Sequence, residues 1–209
     1  MTMQPTPTDA TLITNPDTLR IAAYDLNVFV FFRGHWCPFC QAYLRELDGT
    51  FRERVEAAGG RLVGITSQSA EGATLALEGW GLHYDVLSDP SNGLADTFGA
   101  NITPRDQTPL ADVPTEYPNG MAQPAVIATD RNGKVLYQWA IVPSEMNIGG
   151  ASDRPLPDDI WAAIEAARAG SPPPVEGNVK LDPAFLQAHY PKLHKTFTDW
   201  VAAAQASQQ

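Results

Sequence analysis

The residues best equipped for chemistry are Cys37 and Cys40, the only two cysteines in 209 residues, set three apart in His35-Trp36-Cys37-Pro38-Phe39-Cys40. Thiols at this spacing, where an apolar run gives way to a helical pattern, can be joined and parted as a disulfide. Cys37 falls at the expected helix N-terminus. Unpaired amides and the macrodipole there favour a thiolate, which predicts a pKa below the value of about 8.5 for a free thiol. Cys40, one turn further on, shares an apolar stripe with Leu44 and Leu47 and is expected to be the less exposed, resolving thiol. Inert core cysteines, or half of a zinc site, are the alternative for such a pair. The chain has no second cysteine pair, and its four histidines show no metal-ligand spacing. The reading calls for neither a metal nor a cofactor.

The neighbours of the pair carry charge and aromatic surface. Arg33 and His35 are each placed to stabilise a thiolate or a bound anion, or to be solvated loop cations. Trp36 serves either as a substrate platform or as a lid over the cysteines, and Phe39 shares that ambiguity. Pro38 suits a first helical turn, where its missing amide is no loss. The charges at Glu46, Asp48, Arg52, Glu53 and Arg54 read as solvated helix faces.

The apolar, β-branched and aromatic run from Asn27 to Phe32 positions the pair, and it suits a central strand covered on both faces. Beyond Pro38 the apolar positions Cys40, Leu44, Leu47, Phe51 and Val55 recur at spacings of 4, 3, 4 and 4, which predicts one helix ending near Gly59-Gly60. A strand at Arg61 to Thr66 and a helix around Glu71 to Trp80 continue the unit as a parallel sheet. A short strand at Tyr84 to Leu87 and a short helix through Leu94 to Phe98 follow. From Asn101 to Gln123, the prolines 104, 109, 114 and 118 interrupt any period and predict a long irregular loop able to form a lid. Strands at Ala125 to Thr129 and Lys134 to Trp139 flank Asp130-Arg131-Asn132-Gly133, a hairpin signal that adds an antiparallel pair. Pro157, Asp158 and Asp159 open a helix that buries Ile160, Ile164 and Ala167 and closes at Gly170. The fold class is α/β, a central mixed sheet flanked by helices.

Residues 1–20, rich in Thr, Pro and Asp, read as an N-terminal arm, and residues 21–170 as the body. Ser171-Pro172-Pro173-Pro174 opens a third part, residues 171–209, a stiff linker and helical tail. There Asp182-Pro183 caps a short helix. Leu193, Phe197, Trp200, Val201 and Ala204 form a stripe that docks on its own body or on a second subunit, which leaves a homodimer open. A formal charge of −10, from 14 Lys and Arg against 24 Asp and Glu, repels phosphate backbones and anionic membrane surfaces. No basic residue precedes Arg20 and no long apolar run is present, so the expected location is the cytoplasm.

The stretches RGHWCPFCQAYLREL, RLVGITSQS, YDVLSDPSNGLADTFG and ATDRNGKVLY resemble the peroxiredoxin-like branch of the alkyl hydroperoxide reductase and thiol-specific antioxidant group. The resemblance covers roughly Ile21 to Arg168 and implies a thioredoxin-like fold. Trp36 precedes the first cysteine as in thioredoxins, and Pro-Phe separates the cysteines as in many glutaredoxins. The chain departs from the peroxiredoxin pattern at three places. Cys37 stands where that family has Thr or Ser three residues before the peroxidatic cysteine, Arg33 where it has the motif proline, and Gln123-Pro124 where it has a catalytic arginine. Thioredoxins place a cis-proline at the last of these. A cis Pro124 would hold an extended backbone beside Cys37, able to pair with a substrate backbone, and an ordinary proline opening a strand is the alternative. Phe31 stands where thioredoxins keep a buried aspartate.

These features predict a thiol–disulfide oxidoreductase. Cys37 attacks a protein disulfide, a low-molecular-weight disulfide or a sulfenate, Cys40 releases it, and thioredoxin or glutathione supplies electrons. A thiol peroxidase acting on hydroperoxides, with Cys40 peroxidatic and Cys37 resolving, is the alternative. A redox-responsive binding module, in which disulfide formation alters the 101–123 loop or the tail, is a third reading.

Overall fold

The structure, a computed structural model, describes residues 10–107, 116–144, 149–150 and 153–176. The tail stripe from Leu193 to Ala204, the Asp182-Pro183 cap, and Pro109 and Pro114 of the proline-rich stretch lie outside the described residues. No described helix is long and apolar enough to cross a membrane.

In chain order the elements are β1 (Leu12–Ile13), β2 (Leu26–Phe31), α1 (Pro38–Leu47), α2 (Thr50–Ala57), β3 (Gly60–Thr66), α3 (Ala70–Trp80), β4 (Asp85–Ser88), α4 (Gly93–Phe98), β5 (Ile102–Thr103), β6 (Met121–Ala122), β7 (Ala125–Asp130), β8 (Val135–Ala140), α5 (Pro157–Arg168) and β9 (Val175–Glu176). Seven strands form one sheet in the order β1-β4-β3-β2-β7-β8-β9. The half from β1 to β2 is parallel, β7 runs antiparallel to both β2 and β8, and β9 returns parallel to β8. Every residue of β2 is buried, as its unbroken apolar run requires of a strand covered on both faces. Val28, Val30 and Phe32 pack with residues of α1, α2, α3 and α5, whereas Phe29 and Phe31 pack with Ala95 of α4 and with Leu19 and Ile21.

Several details follow from chemistry that periodicity does not report. The single helix expected from Pro38 to Gly59 is two, broken at Asp48-Gly49. The apolar stripe continues across the break because Phe51 and Val55 of α2 bury against the same cluster as Leu44 and Leu47. Asp48 does not lie on a solvated face. Its side chain is 8% exposed and accepts hydrogen bonds from Arg52 Nε at 3.0 Å and from His83 Nδ1 at 2.9 Å. The hairpin between β7 and β8 is held by Asp130 Oδ1, which accepts from the amides of Asn132 at 2.8 Å and Lys134 at 2.9 Å, while Gly133 takes φ +80°. Within the stretch expected to be irregular, β5 and β6 form a small antiparallel ladder, pairing Ile102 with Ala122 and Thr103 with Met121. Residues 12–13 and 175–176 pair at the two edges of the large sheet.

Candidate active site

The backbone carries the pair from the end of β2 to the start of α1. Phe32 still bonds to β3, its amide donating to Ile65 O at 2.9 Å. The chain then turns at Gly34, where the Cys37 amide donates back to Gly34 O at 3.1 Å. Cys37 is the N-cap of α1, and its Sγ accepts from the Cys40 amide at 3.4 Å. Pro38 opens the helix with no amide to leave unpaired. Both thiols are reduced and buried, Cys37 at 2% and Cys40 at 0% exposure.

Two arginines serve these sulfurs. Arg33 is buried, not a solvated loop cation. Its Nε and Nη2 donate to Gln123 Oε1 at 3.0 and 2.8 Å, and Nη2 also donates to Gly149 O. Gln123 is held in turn by Thr103, its Nε2 donating to Thr103 Oγ1 at 2.8 Å. Arg154, also buried, lies in the segment before α5, with Nη2 at 3.6 Å from Cys40 Sγ. Its guanidinium donates to the carbonyls of Gly150 and Asp153 and sits 5.8 Å from the Tyr43 ring centroid. Arg154 was not legible as a site residue, being a lone cation between Asp153 and Pro155 far along the chain. The place where peroxiredoxins carry an arginine holds Gln123, and that glutamine grips Arg33.

These charges order the two thiols in the sense opposite to the expectation from the helix terminus. Burial raises the Cys40 pKa, but the hydrogen bond from Cys37 and the charges of Arg154 and Arg33 outweigh it and hold the thiol at about 6 against an ordinary 9.0. Cys37 is pushed well above that value, first by burial and then by its hydrogen bond and repulsion with Cys40. Together with the Arg154 contact, these directions favour negative charge at Cys40 over Cys37. Burial lowers the Arg33 pKa, against the attraction of both sulfurs.

The remaining predicted residues fall around this centre. Trp36 is half-buried, and its Nε1 donates to Tyr117 Oη at 2.8 Å. His35 donates its amide to Gln68 Oε1 at 2.8 Å, and Gln68 Nε2 lies 2.9 Å from His35 Nδ1 and donates to Glu116. Phe39 packs against the main cluster. Pro124 is buried at the start of β7. No cis peptide bond occurs among the described residues, so the cis arrangement considered for Pro124 is not adopted. Its carbonyl, one residue ahead of β7, accepts from the Ile141 amide at 3.0 Å.

A mixed sheet whose central strand leads into a helix capped by a redox-capable cysteine defines a thiol oxidoreductase of the thioredoxin fold. The sequence profile of the AhpC/TSA family matches residues 9–138, more than half of the chain, and the chain belongs to that family. It is a peroxiredoxin-like oxidoreductase. Among solved structures, AhpC of Enterococcus faecalis is 17% identical, with 69% of this chain and 75% of that chain covered and a TM-score of 0.50. The bacterioferritin comigratory protein of Xanthomonas campestris is 15% identical, with 79% and 99% covered and a TM-score of 0.50. Both share the fold. No curated protein matches the sequence significantly.

Proposed function

We propose that the protein is a thiol peroxidase in which Cys40 is the peroxidatic thiol and Cys37 the resolving one. The observation that carries this reading is the contact of Arg154 Nη2 with Cys40 Sγ at 3.6 Å, inside a buried site that also holds Arg33. The Cys40 thiolate attacks the terminal peroxide oxygen, and the O–O bond breaks. The sulfur is oxidised to sulfenic acid, and the leaving alkoxide, or hydroxide from hydrogen peroxide, takes a proton to become alcohol or water. A guanidinium beside the sulfur favours both the thiolate and the negative charge that develops on the departing oxygen. The Cys37 thiol then condenses with the sulfenic acid, forming the disulfide and releasing water. A dithiol reductant of the thioredoxin class, or glutathione, restores the pair.

Near-complete burial of both sulfurs favours a small oxidant over a protein disulfide, which must bring a whole backbone to the attacking thiol. The alkyl peroxide reduction named for the Xanthomonas campestris protein is in keeping with this choice. The order of the thiols also speaks against disulfide exchange led by Cys37. Cys37→Ser should consume about one equivalent of hydroperoxide and accumulate a sulfenic acid at Cys40, trapped by dimedone and located by mass spectrometry. Cys40→Ser should consume none. Peroxide turnover surviving in Cys40→Ser would move the peroxidatic role to Cys37, and insulin disulfide reduction without peroxide turnover in the wild type would replace the peroxidase with the Cys37-led oxidoreductase.

A further inference from the structure

Cys40 has no exposed surface, so an oxidant reaches it only if part of the surrounding wall moves. Trp36, the residue before Cys37, packs half-buried against the cluster that holds both cysteines, and its indole is tied down by its N–H. The acceptor, Tyr117 Oη at 2.8 Å, donates in turn to Arg33 O at 2.8 Å, so one hydroxyl joins the indole to the backbone at the end of β2. Burial pushes the Tyr117 pKa up, and the group stays a neutral phenol able to accept and donate together.

The two partners differ in how firmly they are held. Tyr117 is fully buried and begins a turn closed by the Gly120 amide donating to Tyr117 O at 3.2 Å. Asn92 Nδ2 fixes that turn by donating to Asn119 O at 2.9 Å and Gly120 O at 3.0 Å. Gly34 lets the phenol approach: a Cβ there would lie 2.3 Å from Tyr117 Oη. Trp36 is the partner that faces solvent. Swinging the indole outward breaks one hydrogen bond, whereas withdrawing Tyr117 dismantles an anchored turn.

We infer that the Tyr117 hydroxyl is the latch controlling access to Cys40, and that the opening made when Trp36 leaves it sets the size of oxidant admitted. Tyr117 acts through Trp36 and is a positioning residue. The identity of the oxidant as a hydroperoxide rests on the function proposed above, while the latch itself does not.

Tyr117→Phe keeps the ring and removes both hydrogen bonds. In the reduced protein, Cys40 alkylation by iodoacetamide and by bulkier N-ethylmaleimide is followed by mass spectrometry. Only the bond to the indole opposes the opening, and its loss predicts about three- to tenfold faster modification, with the larger increase for the bulkier reagent. Trp36→Phe, which removes the donor, should give the same direction with about a three- to tenfold increase. Tyr84→Phe is the control, since Tyr84 Oη is a buried hydroxyl that donates to Leu44 O at 3.0 Å and has no part in the latch. Equal acceleration in Tyr84→Phe and Tyr117→Phe, or none in Tyr117→Phe, overturns the inference. Oxidation of Cys40 by hydrogen peroxide and by cumene hydroperoxide then tests selectivity, the ratio moving toward the bulkier oxidant in Tyr117→Phe. Alkylation that responds while neither peroxide oxidises Cys40 leaves the latch standing and removes the peroxidase.

Discussion

Replacing Arg154 by Gln removes a full charge from beside the reactive sulfur while keeping a hydrogen-bonding side chain of similar reach. A thiol held at about 6 against an ordinary 9.0 carries a preference for its thiolate of about 4 kcal/mol. A unit charge at 3.6 Å in a medium of effective dielectric about 20 supplies at most about 4 to 5 kcal/mol, so burial is offset and that preference reached only with the Cys37 hydrogen bond and the Arg33 charge added. Cys37 and Arg33 share the work, so Arg154→Gln should return the Cys40 pKa to about 8, not all the way to its ordinary value. At neutral pH the thiolate fraction then falls from about nine-tenths to about one-tenth, and Cys40 alkylation slows about tenfold. The assay is the pH dependence of thiolate ultraviolet absorbance and of alkylation, read in a Cys37→Ser background to isolate one sulfur. Arg154→Lys keeps the charge and should stay closer to the wild type. An Arg154→Gln profile with its midpoint still near 6 would refute the assignment and return the credit to the terminus of α1.

Two further outcomes follow from packing and linkage. Phe29→Ala removes a fully buried ring stacked at 4.6 Å on Phe98 and should cost about 3–5 kcal/mol in urea denaturation. The Cys40 titration should not move, because the cysteines pack in the other cluster. In the reduced protein, the depressed folded pKa of Cys40 adds stability that is complete above the unfolded thiol's pKa and is lost as pH falls through about 6. The stability difference between wild type and Cys40→Ser should therefore widen by about 2 kcal/mol from pH 6 to pH 8 in paired denaturation curves. A flat difference would show that Cys40 is not the low-pKa thiol.

The strands and the hairpin were legible because their signals are local. β2 is an unbroken apolar run, and the turn chemistry carried by Asp130 to Gly133 is realised in the two amides that donate to the Asp130 carboxylate. The break between α1 and α2 was hidden because both helices bury one continuous stripe, while the carboxylate that ends α1 finds its partners at Arg52 and at distant His83. The thiol pair is legible from its spacing, but the arginines gathered beside it are not. A helix terminus is a local feature and points to Cys37, whereas Arg154, the cation beside Cys40, arrives from 114 residues away. Burial of Arg33 was equally out of reach, since it depends on Gln123, 90 residues on, arriving at the neighbouring end of β7.

The two-residue strands at the rims of the sheet have a consequence for solubility. β1 covers the outer side of β4, with the Val86 amide donating to Thr11 O at 3.1 Å, and β9 covers β8, with the Gln138 amide donating to Pro174 O at 3.3 Å. Stripping either segment would bare a ladder of unpaired amides and carbonyls beside apolar residues such as Leu87 or Trp139. Such an edge is a template for pairing with another chain. The segments flanking the body thus act as selvedges, sealing the weave where a second molecule would otherwise be stitched on.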